Sequence, residues 1–477
     1  MSNLKKNIIY NFTYQLLILI LPFITAPYLA RTIGANGIGI YSFSQSIILY
    51  FTYFSVLGLS NYGNRVIASV QNNYESRSRL FCEIYTMQII TFIISLIAYI
   101  IYVKFFSIDK IASWIMGIWF LSSAFDINWF FFGMEQFKLT VIRNAIIKLA
   151  SVVCIFIFVK DKQDIYIYIT IMAVSTLVSQ MCLWPYLKKF IYIIKPSWKN
   201  IVVHFKPNFV LFIPVIAVSL YKIMDKVMLG YMSTMSEVGY YENAEKIINM
   251  VVSLIVAIGT VMLPRMTALV ANDNQEESKK YMDNTMIIVL IYVNASMFGL
   301  FAIADEFCTI YFGGGFTKTG IIMCYLSSTI IFLGCGNVIR TQFLIPNKKD
   351  KIYINSAIIG AILNLIVNMI LIPKYSSIGA SIGTICAEFS VCAYQLFKVK
   401  KEIDLKKYIK YEIVFLGIGI IMWTVIKLCP LINNIYLSLI IHIFLGAIIY
   451  TIISLIYLIK VDKNRMIISI FQSYIKK

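Results

Sequence analysis

The chain has 477 residues, of which 60% are hydrophobic and only 14% are charged, and its mean hydropathy is +0.79. So much apolar surface cannot be kept in water, which excludes a soluble globular protein and predicts a polytopic membrane protein. The net charge of +19 is spread over short loops beside apolar runs, where anionic lipid headgroups lie. This distribution argues against nucleic-acid binding.

Apolar runs of the length that crosses a bilayer recur along the whole chain. We predict an all-α fold with about fourteen transmembrane helices, since each needs roughly 20 apolar residues. The predicted spans lie near 8–30, 38–62, 80–103, 111–132, 139–159, 165–187, 207–231, 238–263, 284–306, 318–342, 351–371, 375–399, 409–428 and 436–459. The first run is longer than the apolar core of a cleavable secretory signal, so we interpret it as a span.

The basic residues set the orientation of these spans. With the N-terminus inside, 30 of the 42 Lys and Arg residues fall in inside segments and 8 in outside turns. Loops that carry Lys and Arg are retained on the cytoplasmic side. Both termini are therefore predicted to be cytoplasmic.

An internal repeat is visible at Gly39 and Gly239, each preceded by an aliphatic residue and followed two positions later by Tyr. Pro22 and Pro27 fall inside the first predicted span, and Pro214 falls inside the seventh. Proline interrupts helices, and transporters often carry such breaks beside the substrate path. We predict hinges at these prolines; a static kink is the alternative.

The repeat predicts two lobes of six helices each. The N-terminal lobe comprises residues 1–190, and a basic cytoplasmic linker follows at 191–206. The second lobe comprises residues 207–400, and residues 401–477 form two additional helices and a cytoplasmic tail. The short loops leave no separate soluble domain for catalysis, so an enzyme is not predicted.

The sequence offers little metal or cofactor chemistry. The nine cysteines lack paired metal-ligand spacing. Neither His204 nor His442 has the local neighbours of a catalytic triad or zinc site. We predict no catalytic residues, no metal and no cofactor.

Several stretches distributed over most of the chain carry a family resemblance. They are Ala30–Gly34, Asp126–Gly133, Val141–Asn144, Asp225–Gly230, Val238–Tyr241, Leu344–Pro346, Leu371–Tyr375 and Gly379–Thr384, with Asn364 and Asn368. In order and spacing the chain resembles the polysaccharide flippases of the multidrug/oligosaccharidyl-lipid/polysaccharide exporter superfamily, which export lipid-linked O-antigen or capsule repeat units.

The resemblance implies a MATE-like fold and outward movement of an undecaprenyl-diphosphate-linked oligosaccharide across the bacterial cytoplasmic membrane. It also suggests membrane lipids, a polysaccharide polymerase and a chain-length regulator as partners. Related lipid II flippases usually carry charged residues in the first helix. Here nothing between Asn11 and Ala30 is charged, which favours the polysaccharide branch.

Ionisable residues inside spans are costly and usually face a bundle interior, so they indicate the pathway. The basic candidates for binding the diphosphate are Lys148, Lys222, Lys226, Arg31 and Arg143. Lys148 is the leading candidate, because neither its span nor the next supplies an acid. Asp126 is predicted to reach Lys148 or to pair with Arg143, and Arg31 has either a lumen role or a headgroup role.

The acidic candidates for coupling to H+ or Na+ are Asp126, Asp225, Glu242 and Glu245. Lys222, Asp225 and Lys226 share one face of the seventh span, and Glu242, Glu245 and Lys246 repeat this spacing in the eighth. The alternative is that the two stripes neutralise one another as interhelical ion pairs.

Two other functions remain as alternatives. A cation-coupled multidrug exporter of the same fold needs acidic rather than basic residues in its spans. A membrane-embedded polysaccharide polymerase or transferase normally carries a large outside loop, and the outside turns here are short. Both alternatives fit the sequence less well than a flippase.

Overall fold

The computed structural model describes residues 20–429 and 434–461, and throughout these ranges the chain consists of helices and short connections. It forms two compact units, Met1–Gly239 and Tyr240–Lys477. The boundary between the units falls in the first turns of a long helix. The lobe boundaries predicted from the repeat stay a prediction.

The helices of the first unit follow one another with short connections. They are α1 (20–32), α2 (Gly34–Val56), α3 (Leu59–Ser69), α4 (Tyr74–Phe105), α5 (Lys110–Leu121), α6 (Asn128–Gly133), α7 (Phe137–Phe158), α8 (Ile165–Met181), α9 (Trp184–Leu187) and α10 (Trp198–Met232). Side-chain caps begin several of them; Asn73 Oδ1, for example, accepts from the Ser76 backbone N–H at 2.9 Å at the start of α4.

The second unit contains most of α11 and the helices that follow it. They are α11 (Met235–Ala271), α12 (Gln275–Tyr311), α13 (Thr317–Ser327), α14 (Thr329–Ile339), a π-helical turn (Arg340–Leu344), α15 (Asp350–Tyr375), α16 (Ser377–Val399), α17 (Leu405–Leu428), α18 (Ile435–Ile456) and a second π-helical turn (Tyr457–Val461). Within this unit α12, α17 and α18 pack against one another.

In the described part of the chain, 11 helical stretches are long and apolar enough to cross a membrane, and each matches a predicted span. The all-helical, multi-pass architecture is confirmed. Of the other predicted spans, 8–30 lies largely outside the described residues, and 207–231 lies within the 35-residue α10. The span predicted at 111–132 is not one helix, because Ser122–Ile127 form a non-helical connection between α5 and α6.

The prediction that prolines interrupt the first helix is wrong. Residues 20–32 are helical through Pro22 and Pro27, and the backbone of α10 is helical through Pro214, whose side chain lies outside the description. The first break comes instead at Gly34, whose φ of +68° ends α1 and starts α2. The hinge role of these prolines stays a prediction.

Prolines within helices are also not confined to the first and seventh predicted spans. Pro264 lies inside α11 and Pro373 inside α15. The predicted spans ended before both residues because apolarity stops there, whereas the helices continue beyond the apolar runs.

The repeat glycines make reciprocal contacts. A Cβ on Gly39 would lie 1.7 Å from the Met235 carbonyl oxygen, and a Cβ on Gly239 would lie 1.9 Å from the Ala35 carbonyl oxygen. Ala35 and Met235 are spaced in the sequence as Gly39 and Gly239 are, so each copy of the repeat contacts the other in the same way. Both glycines are required by close backbone packing.

Gly379 and Gly383 form a GxxxG pattern in the twelfth predicted span, and this pattern serves helix packing. A Cβ on Gly379 would lie 2.4 Å from the Leu371 carbonyl oxygen, and one on Gly383 would lie 2.0 Å from Asn368 Oδ1. These two glycines let α16 lie closely against α15.

Candidate functional site

The short helix α6 anchors the family-like motif in the first unit. Trp129 Nε1 donates to Gln88 Oε1 of α4 at 3.1 Å, and Phe130 and Phe131 are fully buried. A Cβ on Gly133 would lie 2.8 Å from Ile67 Cβ, so α6 lies directly on α3. The aromatic half of the motif therefore fixes the position of its polar half.

Asn128 is the centre of a polar cluster at the start of α6. Its backbone N–H and side-chain Nδ2 donate to Asp126 Oδ1 at 3.0 and 2.7 Å. Its Nδ2 also donates to Gln180 Oε1 of α8 at 2.8 Å, and its Oδ1 accepts from Arg143 Nη2 of α7 at 3.1 Å. Asn128 thus joins an acid, an amide and a guanidinium from three parts of the unit.

Asn144 holds Arg143 from the other side. Arg143 Nη2 and Nε donate to Asn144 Oδ1 at 2.6 and 3.1 Å, and Ser179 Oγ of α8 donates to the same oxygen at 2.9 Å. Amide oxygens therefore orient the guanidinium, and Asp126 interacts electrostatically with Arg143. Of the two predicted partners of Asp126, the structure brings Arg143 close.

Lys148 lies on the inner face of α7. The outward face of this helix carries Ile142, Ile146 and Leu149, which are 39%, 61% and 46% exposed. Lys148 is half-buried on the opposite side, one turn beyond Asn144. Within the described ranges its Nζ makes no hydrogen bond or ion pair.

The charged residues of α10 differ in burial. Asp225 is 3% exposed, Lys226 is half-buried and Lys222 is exposed. Tyr50 of α2 interacts electrostatically with Asp225 and Lys226. These two residues therefore belong to the packed face of α10, and Lys222 does not.

In α11, Glu242 is 7% exposed, and its Oε1 forms an ion pair with Lys246 Nζ of the same helix at 3.2 Å. Glu245 beside it is half-buried. Arg31 is exposed, and its guanidinium donates to the Pro27 carbonyl oxygen of its own helix at 3.4 Å. The alternative prediction was that the charged residues of the seventh and eighth spans pair between helices. Glu242 also has a partner within its own helix, which that alternative did not include.

Sequence analysis missed a buried cluster around His204. His204 Nδ1 lies 2.6 Å from Tyr62 Oη and its Nε2 lies 3.2 Å from Glu83 Oε2, while Asn200 Nδ2 donates to Glu83 Oε1 at 2.7 Å. The cluster ties the start of α10 to α3 and α4. Tyr62 and Glu83 are both more than 100 residues from His204, so no local spacing could reveal the cluster.

Two solved structures share this fold. A lipid II flippase MurJ in an inward closed conformation superposes with a TM-score of 0.74 at 17% identity, covering 95% of this chain and 98% of that one. An inward-facing multidrug resistance MATE family transporter superposes with a TM-score of 0.58 at 12% identity, covering 81% and 98%. The chain therefore has the fold of this class of membrane transporters.

The family follows from sequence. A family model described as "Polysaccharide biosynthesis protein" matches residues 4–270, more than half of the chain, and the chain belongs to this family. It is 24% identical over 403 residues to the "Putative O-antigen transporter" of Escherichia coli (strain K12), covering 83% of this chain and 97% of the relative. The resemblance to polysaccharide flippases predicted from the sequence is confirmed.

Proposed function

We propose that the protein is a flippase that moves undecaprenyl-diphosphate-linked oligosaccharide repeat units from the cytoplasmic to the outer face of the bacterial cytoplasmic membrane. The units serve O-antigen, capsule or another surface polysaccharide. The family, the relative named as an O-antigen transporter and the flippase-like fold support this proposal. Both termini lie in the cytoplasm, as the charge distribution of the loops predicts.

The main observation behind the proposal is the half-buried position of Lys148 within a membrane-spanning helix. Lys148 presents a primary amine on the inner face of a spanning helix, about 7.5 Å along the axis from Arg143 at 1.5 Å per residue. A cation inside the membrane attracts an anionic headgroup more strongly than one in water, because the dielectric constant is low. This supports our assignment of diphosphate binding to Lys148 and Arg143, with Lys222, Lys226 and Arg31 as further candidates.

Transport proceeds by alternating access, in which two lobes rock around the bound headgroup while the lipid tail stays in the bilayer. An inside-negative potential favours outward movement of the anion by about 2.3 kcal/mol per charge per 100 mV. Exchange of H+ or Na+ at Asp126, Asp225, Glu242 or Glu245 adds a second driving force. A polymerase and a chain-length regulator act on the product at the outer face.

Deletion of the gene in its host tests the proposal. A sugar-specific probe applied to intact and opened cells reports the side on which the lipid-linked oligosaccharide lies. Accumulation of complete units on the inner face, reversed by the wild-type gene, is the expected result. Normal outward units that are not joined would indicate a polymerase, and drug sensitivity with normal sidedness would indicate a multidrug exporter.

A further inference from the structure

The buried face of α18 is almost entirely polar. Its buried residues are Ser438, His442, Gly446, Tyr450 and Ser454, spaced by four so that they form one stripe along the helix. The surrounding positions, such as Ile440 and Phe444, are exposed and apolar. Polar groups within a spanning helix are costly and mark functional paths, so this stripe requires an explanation.

At the outer end of the stripe, His442 pairs with an acid of α12. His442 Nδ1 lies 3.0 Å from Glu306 Oε1, and the two side chains are 5% and 13% exposed. Ser438 Oγ, one turn further out, is buried and has no partner among the described residues. Asp305 of α12 and Lys427 of α17 are further charged groups towards this end, and both act electrostatically on Cys324 of α13.

Towards the inner end, the stripe faces Glu412 of α17. Glu412 Oε2 accepts from Asn294 Nδ2 of α12 at 3.0 Å, and Glu412 interacts electrostatically with Tyr450 of α18 and Cys335 of α14. Further in, Asp283 of α12 accepts from Tyr408 Oη at 2.5 Å. Lys407 Nζ donates to the other oxygen of Asp283 at 2.7 Å, and the phenol rings of Tyr411 and Tyr457 are in contact at this end.

Three buried polar atoms near the Glu412–Tyr450 contact make no well-formed hydrogen bond in the described part of the chain, although the Ser454 hydroxyl lies beside that of Tyr450. They are Asn294 Oδ1, Tyr450 Oη and Ser454 Oγ, on residues that are 0%, 3% and 3% exposed. Buried polar atoms of this kind are satisfied by ordered water in most proteins. The inner part of the stripe is therefore suited to hold water against a carboxylate.

An apolar constriction separates the two polar parts. A Cβ on Gly446 would lie 2.8 Å from Ile426 Cδ1 and 3.5 Å from Met422 Sδ of α17. His442 and Tyr450 flank this point and are about 12 Å apart along the axis at 1.5 Å per residue. The contacts recorded at Gly446 in the described residues are therefore apolar.

We infer that α12, α17 and α18 form a proton relay in two halves, with Glu412 as the proton-binding group of the inner half and the His442–Glu306 pair as that of the outer half. Carboxyl, phenol and imidazole groups each accept one proton and release another, which distinguishes the series from an oxygen cage for Na+. The constriction at Met422 and Ile426 prevents a leak until the helices shift. The coupling role of the relay rests on the proposed function, since it names H+ as the ion that drives transport.

Proton flux into proteoliposomes tests the relay without any substrate. The purified protein is reconstituted with an internal pH-sensitive dye, and the outside is acidified. Met422→Ser should hydrate the constriction and raise proton entry several-fold over wild type, whereas the apolar control Met422→Leu should not. Adding Glu412→Gln, which preserves the hydrogen bond to Asn294, should abolish the leak.

Glu402→Gln provides the matched control for the change of a carboxylate to an amide. Glu402 pairs with Lys349 at 2.5 Å on the exposed surface, outside the stripe, and its substitution should leave the Met422→Ser leak intact. No leak in folded Met422→Ser, or a leak that survives Glu412→Gln, would overturn the relay. Infrared difference spectra between acid and neutral pH provide a second readout, because Glu412→Gln should remove a protonated carboxyl band.

Flipping assays in the same vesicles separate the two proposals. Wild type should flip lipid-linked oligosaccharide faster under an inward proton gradient, and Glu412→Gln should lose that stimulation. If wild type flips nothing, the proposed function fails while the leak experiment still decides the relay. If wild type flips and Glu412→Gln keeps the full stimulation, the relay is wrong.

Discussion

Arg143 donates a hydrogen bond to the side-chain oxygen of Asn128 at 3.1 Å, and this contact joins the guanidinium of α7 to the first residue of α6. Asn128 in turn holds Asp126 and Gln180. The acid and the cation of the motif are thus linked through an amide whose orientation is set from both sides. Arg143 is consequently held in place rather than mobile in the pathway.

Replacing Asn128 with Leu should weaken the first unit. The change removes the partner of Arg143 and Gln180 while keeping a similar volume, and buried polar groups left without a partner cost about 1–3 kcal/mol each. We expect a clearly lower unfolding temperature in detergent and reduced flipping. Gln136→Ala, at an exposed loop position, is the control; equal stability of the two variants would contradict the central role of Asn128.

Lys148→Ala should abolish flipping while membrane insertion stays normal, because the diphosphate loses a cation in a low-dielectric site. We expect a loss of at least about tenfold, equivalent to 1.4 kcal/mol, with partial recovery in Lys148→Arg. Lys138→Ala, at the exposed start of the same helix, should be active. Full activity after joint neutralisation of Lys148, Lys222 and Lys226 would refute the cationic pathway.

Gly39→Ala should be poorly tolerated, because the added methyl group would lie 1.7 Å from the Met235 carbonyl oxygen. Overpacking of this kind typically costs about 1–3 kcal/mol. Gly239→Ala should behave alike, since its contact with Ala35 is reciprocal. In α12, a Cβ added to Gly299 would have no neighbour within 4 Å outside its own helix backbone, so Gly299→Ala should retain stability. Comparing the thermal unfolding temperatures of the three variants tests this prediction.

Glu83→Gln should destabilise the first unit more than Glu75→Gln in the same helix. Glu83 is 4% exposed and lies between His204 and Asn200, whereas the Glu75–Arg79 pair is open to solvent. Exposed pairs contribute about 0–1 kcal/mol, and the loss of a buried charge-assisted hydrogen bond about 1.5–3 kcal/mol. Equal unfolding temperatures would show that the His204 cluster adds no stability.

The sequence predicted what depends on local composition. Long apolar runs predicted the spans. The break at Ser122–Ile127 was missed because a window of about 20 residues averages over the four polar or small residues that this segment contains. Helical continuity through Pro22 and Pro27 was missed because neighbouring helices can stabilise a proline-containing helix.

Contacts between distant residues were beyond sequence analysis. His204 contacts Glu83 and His442 contacts Glu306 only because the helices pack together. No short-range sequence pattern predicts either pair. Lys148 was identified because its span lacks an acid, which is a local property. Its place on the inner face of α7 required the structure, since the lipid-facing side of a helix is defined by its neighbours.

The most direct measurement of the central claim uses purified protein in liposomes that contain lipid-linked oligosaccharide. A membrane-impermeant enzyme or lectin specific for the sugar reports the fraction of headgroups exposed outside as a function of time. We expect the inner-leaflet fraction to become accessible with wild-type protein, and to remain protected with Lys148→Ala and in protein-free liposomes. Protection of the inner-leaflet sugar with folded wild-type protein would contradict the proposal that this chain is a flippase.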